Sequence, residues 1–269
     1  MSYKMLCLDI DGTLLNSNHK ISSKTREAVR LVSGRIPVIL VSARMPAGIF
    51  PYQKELGLNE AVISYSGALI LDEKRNVLLN KTISTSIVEL LYDNFMGQVH
   101  LSIYCNNDWY IENKDCWVRQ EKEITGLTPL EVNYRKLIDN WYRNSGGANK
   151  LLCMGEEGDI TVLYHQLQKM IERVTASIAF YRSKSSYLEI MDKAASKAAA
   201  IEKLAANYGV ERNEIIAIGD NYNDLNMIEY AGLGVAMGNA PEAVKEQADE
   251  ITSSNDNDGV ARIIYKYFN

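Results

Sequence analysis

Basic charge is in short supply in this sequence: 29 Lys and Arg stand against 34 Asp and Glu, for a net charge of −5. Such a chain sets up no positive field for collecting nucleic acid or anionic lipid, so nonspecific binders of either kind are excluded. Long apolar runs are missing as well. The longest, near Ile36 to Val41, falls far short of the roughly 18 to 20 residues that span a bilayer, and no membrane partner is expected. The opening MSYKMLCLDIDG reaches Asp9 too early to form a signal-peptide apolar region. Cysteine is sparse: Cys7, Cys105, Cys116 and Cys153 form no CxxC pair and read as reduced thiols of a cytoplasmic protein. Zinc is disfavoured, because His19, His100 and His165 do not fall at ligand spacing with those cysteines. With only 5 Pro beside 17 Gly, and 46% hydrophobic against 23% charged residues, the composition is that of an ordinary globular chain. At 269 residues it makes one large domain or two ordinary ones.

What is present has a βα rhythm. Lys4 to Ile10 reads as a strand, Ser22 can cap a helix through Ser33, and the unbroken apolar run of IPVILV reads as a strand covered on both faces. A short strand at Val62 to Tyr65 follows, and Leu69 to Leu71 and Val77 to Leu79 flank the polar turn DEKRN as a hairpin. From about Thr82 the texture changes. Short strands around VHLSIYC, WYIE, NKLLCMG and SIAFYRS alternate with helical stretches. Ile87, Leu90, Leu91 and Phe95 recur at helical spacing in one of these, and Ile160, Leu163, Leu167, Met170 and Ile171 in another, as core-facing stripes do. After Met191 the rhythm returns: a helix over Ala195 to Asn207, strands at Ile215 to Ile218, Leu233 to Ala236 and Glu250 to Thr252, and helices near Asp224 to Ala231 and from Gly259. The expected fold is α/β, a Rossmann-like parallel sheet sandwiched by helices, formed by residues 1–82 and 190–269, with an α+β cap inserted over 83–189.

Four segments with chemistry lie at the carboxyl ends of expected strands or beside them, where open α/β sheets bind ligands. In Asp9-Ile10-Asp11-Gly12-Thr13, residues two apart on a strand point the same way, so Asp9 and Asp11 can share one site, with Gly12 turning the chain after them. Paired carboxylates repel unless a cation or proton intervenes, and Mg2+ is the common choice where a phosphate completes the shell. Gly219-Asp220-Asn221-Tyr222-Asn223-Asp224 follows another strand and supplies two more carboxylates. Alone it reads equally as a turn and helix cap. Val41-Ser42-Ala43-Arg44 offers a hydroxyl and backbone N–H groups, although a serine there also reads as a cap. Lys197 stands on a helix rim among Ala194, Ala195, Ala198 and Ala199, where a lone lysine is ordinarily solvated.

Together these segments resemble the four motifs of the haloacid dehalogenase-like hydrolase superfamily, in that family's order. DIDGTLL, the long insertion after the hairpin, LEI ahead of Lys197, GDNYNDL and GVAMGNA are similar to the Cof-type branch with a large C2-type cap. The resemblance implies that Asp9 is the nucleophile at phosphorus and Asp11 the general acid and base. It implies Mg2+ on Asp9, the backbone carbonyl of Asp11 and Asp220. It places Ser42, Lys197, Asn223 and the N–H groups of Ile10 and Ala43 on the phosphoryl oxygens, and Asp224 behind the metal ligands, where a first-turn residue favoured by the helix dipole is an equal reading. Two positions depart from the pattern: Ser42-Ala43 stands where the family commonly has Thr-Gly, and Ser66-Gly67 where it commonly has Asn-Gly. Ser42 keeps the hydroxyl, and Ala43 keeps its N–H group provided no positive φ is needed.

The activity so implied is Mg2+-dependent hydrolysis of small phosphomonoesters through an aspartyl-phosphate. Sugar phosphates lead, followed by cofactor-like phosphates such as pyridoxal phosphate or flavin mononucleotide. The partner is a small phosphorylated metabolite rather than nucleic acid, and the protein a monomer or small homo-oligomer. A sugar phosphomutase and a non-catalytic phosphometabolite sensor are the alternatives. Nucleotide-binding loops are not: AGLGVAMG lacks GxGxxG spacing and no GxxxxGK[ST] occurs. Asn106, Trp109, Tyr110, Arg182 and Tyr187 are candidates for lining the cap's substrate face, each with a packing role as the plainer reading.

Overall fold

The computed structural model describes residues 3–95, 97–174 and 177–268, with residues 171–174 as backbone only. It divides into two compact units. The first runs to Arg44, from Ile49 to Leu79 and from Ser196 onward; the second takes Met45–Gly48 and Asn80–Ala195. The insertion is thus a few residues longer at each end than the 83–189 expected.

The first unit opens with β1 (Met5–Leu8), α1 (Ser23–Ser33), β2 (Val38–Val41), α2 (Phe50–Leu56), β3 (Val62–Ser64), β4 (Leu69–Leu71) and β5 (Val77–Asn80). The insertion contributes β6 (Ile83–Ser84), α3 (Thr85–Phe95), β7 (His100–Cys105), β8 (Asp108–Ile111), α4 (Cys116–Thr125) and β9 (Leu130–Glu131). It continues with α5 (Tyr134–Asn144), β10 (Gly147–Ala148), β11 (Lys150–Met154), α6 (Glu157–Val174), β12 (Ile178–Lys184) and β13 (Tyr187–Asp192). The first unit then resumes as α7 (Lys197–Tyr208), β14 (Ile215–Gly219), α8 (Leu225–Tyr230), β15 (Leu233–Ala236), α9 (Glu242–Lys245), β16 (Glu250–Ile251) and α10 (Gly259–Phe268).

The sheet of the first unit has the order β16-β15-β14-β1-β2-β3-β4-β5. Pairing is parallel from β16 to β3, and β4 turns back antiparallel. Every residue of β1, β2, β14 and β15 is buried, as strands covered on both faces require. On one face Met5, Cys7, Ile39, Val41, Ile215 and Ala217 pack with Ala200, Ile201 and Leu204 of α7. The alternate residues Leu6, Leu8, Leu40, Ile216 and Ile218 are equally inaccessible, so the opposite face is covered too. The strand expected from Ile36 begins only at Val38. Pro37 has no N–H to extend the ladder, and its carbonyl accepts from the Leu6 N–H at 3.0 Å. Ser22 caps α1 as read, accepting from the Thr25 N–H.

In the second unit a six-stranded sheet, ordered β12-β13-β11-β7-β8-β9, carries its apolar core on one face. Val88, Leu91 and Phe95 of α3, Ile138 and Trp141 of α5, and Ile160, Leu163 and Leu167 of α6 meet Ile103, Leu151, Cys153, Leu188 and Ile190 there. The α3 stripe is rotated from the one expected: Val88 and Tyr92 are buried, while Ile87 and Leu90 are only half-buried. Met170 packs at the margin of this core, and the side chain of Ile171 lies outside the described residues. Among the described residues no helix is long and apolar enough to cross a membrane.

Two of the five cap-lining candidates belong to the interior. Trp109 and Tyr187 are 2% and 4% exposed, Trp109 donating its Nε1–H to Ser102. Arg182 bonds to Thr161 and the Ser185 carbonyl, and the Tyr110 hydroxyl to Asp108. Asn106, at φ 53°, accepts from Asn80 through its side chain and donates its N–H to Asn149.

Candidate active site

The strand order β14-β1-β2 sets the carboxyl ends of three neighbouring parallel strands side by side. Asp9 follows β1, Ser42 follows β2 and Asp220 follows β14. The Asp9 N–H donates to the Ile218 carbonyl at 3.0 Å, extending the ladder by one residue and fixing the backbone at the edge.

Lys197 is the centre of the arrangement. It is the first residue of α7, capped by Ser196, and its side chain is fully buried. Its ammonium donates to Asp9 Oδ1 at 2.6 Å and Asp224 Oδ1 at 2.5 Å, and lies 3.4 Å from the Val41 carbonyl. The solvated reading of this lysine is therefore overturned: two buried carboxylates supply what water would. Burial works to lower its pKa, but the charges of Asp224 and Asp9 outweigh that and raise it. Lys197 stays protonated. Burial, followed by the neighbouring charge of Asp224, pushes the Asp9 carboxyl well above the usual carboxylate range, with Lys197 opposing.

Asp224 is equally inaccessible. Its second oxygen accepts from the N–H groups of Asp220 and Asn221, each at 3.0 Å, so it folds the GDNYND loop around itself while holding Lys197. Asp220 accepts from the Thr13 hydroxyl at 2.8 Å, and burial is the main reason its carboxyl is pushed up to about 6. Gly12 takes φ 82°, and a Cβ there would come within 2.2 Å of Asp220 Oδ2, so only glycine lets these two loops touch. Carboxylate oxygens of Asp9, Asp220 and Asp224 lie within 4.8 Å of one another.

Asp11 turns its carboxylate to Arg44. Because β1 ends at Leu8, the alternation that would aim Asp9 and Asp11 the same way has ceased. The Asp11 carboxylate meets Arg44 as a two-pronged pair, Nε to Oδ2 at 2.7 Å and Nη2 to Oδ1 at 2.6 Å, half of its surface facing solvent. Arg44 also reaches the Tyr52 hydroxyl. Arg44 carries no signal of this role in the sequence, because no local spacing connects positions 11 and 44.

The remaining expected residues fall around this centre. Ser42 is buried, and its hydroxyl accepts from the Arg44 N–H at 3.2 Å. Ala43 is absent from the positive-φ residues, so alanine in place of the family's glycine costs no strain. Ile10 is buried, its carbonyl accepting from the Leu15 N–H. Asn223 is half-buried in the single turn Tyr222–Asp224. Asn239 was not anticipated: its side chain donates to the Gly12 carbonyl at 2.8 Å and accepts from the Asn255 N–H at 2.9 Å, steadying the loop after Asp11.

A second constellation in the insertion mimics a hydrolytic triad. His100 Nδ1 is 2.7 Å from Asp115 and its Nε2 is 3.0 Å from the Ser102 hydroxyl. Ser102 is fully buried and already accepts from Trp109, while Asp115 caps α4 through the Val118 N–H. The network packs one end of the sheet and presents no accessible nucleophile.

Comparison with known proteins accords with this geometry. Residues 6–264 match the haloacid dehalogenase-like hydrolase family. A Haemophilus influenzae protein provisionally named a phosphatase is 36% identical over 276 residues, covering 100% of this chain and 99% of its own. A Bacillus subtilis 5-amino-6-(5-phospho-D-ribitylamino)uracil phosphatase is 29% identical over 263 residues, covering 97% of this chain and 94% of its own. Among solved structures, a haloacid dehalogenase-like hydrolase from Bacteroides thetaiotaomicron superposes with a TM-score of 0.88 at 33% identity, covering 99% of this chain and 100% of that one. The chain thus belongs to the haloacid dehalogenase-like hydrolases, in their Cof-type branch, and is an enzyme of the phosphoric monoester hydrolase class.

Proposed function

We propose that this enzyme hydrolyses small phosphomonoesters, sugar phosphates or related phosphometabolites, with Mg2+ and through an aspartyl-phosphate on Asp9. The observation that carries the reading is the inaccessible Lys197, stretched between Asp9 and Asp224 at a strand-end site. A protonated lysine held there attracts phosphoryl oxygens to the one carboxylate able to attack.

The donor set fits a hard divalent cation. Its nearest members are carboxylate oxygens, two of them on groups whose pKa is raised by burial and like charge and which a cation would relieve. Asp224 commits both oxygens to Lys197 and to backbone N–H groups, so Asp9 and Asp220 are the carboxylates that would hold the ion, with the Asp11 carbonyl. Bound Mg2+ supplies positive charge between the Asp9 carboxylate and an anionic phosphate, which otherwise repel.

The chain's own residues divide the rest. An Asp9 oxygen forms the bond to phosphorus as the ester P–O bond breaks, and Asp11 gives its proton to the departing alkoxide. Water then attacks phosphorus, Asp11 takes its proton, and Asp9 is released with inorganic phosphate. Ser42, Lys197, Asn223 and the N–H groups of Ile10 and Ala43 hold the phosphoryl oxygens through both displacements. The insertion, as a cap, selects the alcohol. The Bacillus subtilis relative named for a ribityl phosphate makes sugar-alcohol phosphates a natural part of any panel.

Phosphate release from a panel of phosphomonoesters is expected to require Mg2+ and to fall more than about 100-fold in EDTA, returning when Mg2+ is restored. Release indifferent to chelation would remove the metal from the reading. Arg44 gives a sharper expectation. If its two-pronged grip aims Asp11, Arg44→Ala lowers kcat about 10- to 100-fold with KM within about threefold, the scale of a misaligned acid–base group. Arg44→Lys does not restore it, since an ammonium cannot grip both oxygens of a carboxylate in one plane. Steady-state kinetics on both variants decides; an unchanged kcat would reduce the pair to an ordinary surface ion pair.

A further inference from the structure

Two buried hydroxyls at the end of β3 and in the turn that follows it, those of Ser64 and Ser66, have no hydrogen-bond partner. Buried polar groups are paired as a rule, so an orphan marks a partner supplied from outside the chain or a trapped water. The two differ in reach. Ser64 is sealed at 0% exposure, whereas Ser66 keeps 7%.

Ser66 also has the more telling neighbours. Its N–H donates to the Ser42 carbonyl at 2.9 Å, and the Tyr65 N–H donates to the Arg44 carbonyl at 3.1 Å, strapping the segment along the loop after β2. On the other side Gly67 lies so close to the start of α7 that a Cβ would fall 2.2 Å from the Ser196 carbonyl oxygen. The Ser66–Gly67 pair is therefore wedged between Ser42 and the residue before Lys197. The backbone is held there in three consecutive positive-φ residues, 49° at Tyr65, 50° at Ser66 and 99° at Gly67, a conformation that serine and tyrosine adopt sparingly. The Ser66 side chain gains no turn hydrogen bond in return.

We propose that the Ser66 hydroxyl is a substrate contact, donating its proton to an oxygen of the phosphoryl group held between Ser42 and Lys197. The assignment stands on the phosphatase reading above. A hydroxyl carries one proton to donate and phosphate oxygens accept, so the substrate supplies the partner that the chain withholds.

The test is calorimetric titration of inorganic phosphate into the protein in MgCl2, which needs no turnover. Ser66→Ala is expected to weaken phosphate binding about tenfold, the scale of one hydrogen bond to a charged acceptor. Ser64→Ala, which deletes an equally orphaned hydroxyl from the same segment, leaves it within about twofold of the parent. Ser66→Gly, at ease at positive φ, shows the same loss as Ser66→Ala and keeps the test open should alanine disturb the backbone. Without phosphate, Ser66→Gly and Ser64→Ala melt within a few degrees of the parent, because no hydrogen bond of the chain is removed. Undiminished phosphate affinity in both Ser66 variants would overturn the contact alone. A parent protein that binds no phosphate would overturn the phosphatase reading, and the contact with it.

Discussion

Asn in place of Asp9 is expected to abolish phosphate release, by at least about 10⁴-fold, the scale seen when an attacking side chain is removed. An amide nitrogen or its poorly nucleophilic oxygen forms no acyl phosphate that water could cleave, and no neighbouring carboxylate can substitute. Asp224 has both oxygens engaged, Asp220 is tied to the Thr13 hydroxyl and is assigned to the ion, and Asp11 is held by Arg44. The same substitution is expected to leave the metal-free protein at least as stable as the parent. Asp9 and Asp224 share one ammonium in an inaccessible space, and burial already disfavours the Asp9 charge. Neutralising it leaves Lys197 and Asp224 as a balanced pair. Release assays on the panel, with a melting curve for each protein, check both halves. Full turnover in a folded Asp9→Asn protein would end the aspartyl-phosphate reading. Lost turnover together with a lowered melting point would instead make Asp9 a structural partner of Lys197.

Much of the architecture is legible in the sequence because the physics behind it is local. The strands of the first sheet are continuous apolar runs such as VILV and IIAIG, and Ser22 announces α1 by its position alone. The site is less legible because its partners are distant. Nothing near Lys197 distinguishes it from a solvated lysine on an alanine-rich helix; its ion-pair partners are 188 and 27 residues away, and only the resemblance to a known family singled it out. The same distance hid the pairing of Asp11 with Arg44. Strand alternation is not what relates Asp9 to Asp11, since β1 stops one residue before the first of them. In the insertion, aromatic side chains that could have lined a site turned out to fill the interior: Trp109 stacks on Tyr104 and finds its hydrogen-bond partner within the sheet. Helix α4 shows no apolar stripe in the sequence, because most of its residues are charged or exposed and only Val118 and Glu121 are buried.

Removing Lys197 is expected to do what removing Asp9 does not: inactivate the enzyme and also destabilise it. Lys197→Met keeps most of the buried stem volume but leaves Asp9 and Asp224, 5% and 0% exposed, with no ammonium between them. Breaking a buried ion pair by deleting one partner costs about 3–5 kcal/mol, because the remaining charge is uncompensated. The loss has a direction in pH. Without Lys197 the Asp9 carboxyl, raised by burial and by the neighbouring charge of Asp224, loses the ammonium that opposes that rise, so the folded variant keeps a proton on Asp9 that the unfolded chain releases in the interval between its unfolded and folded pKa values. Stability therefore falls as pH rises through that interval. The deficit of Lys197→Met relative to the parent is thus smallest near the unfolded carboxyl pKa of about 4 and grows toward neutrality. Adding Asp9→Asn to Lys197→Met removes one of the two stranded charges and is expected to recover part of the loss, a non-additivity reserved for groups in contact. Denaturant melts of the single and double variants at about pH 5 and pH 7.5 measure all three quantities. A Lys197→Met protein as stable as the parent at pH 7.5, or a double variant whose losses simply add, would show that the ammonium is not what holds Asp9 and Asp224 together.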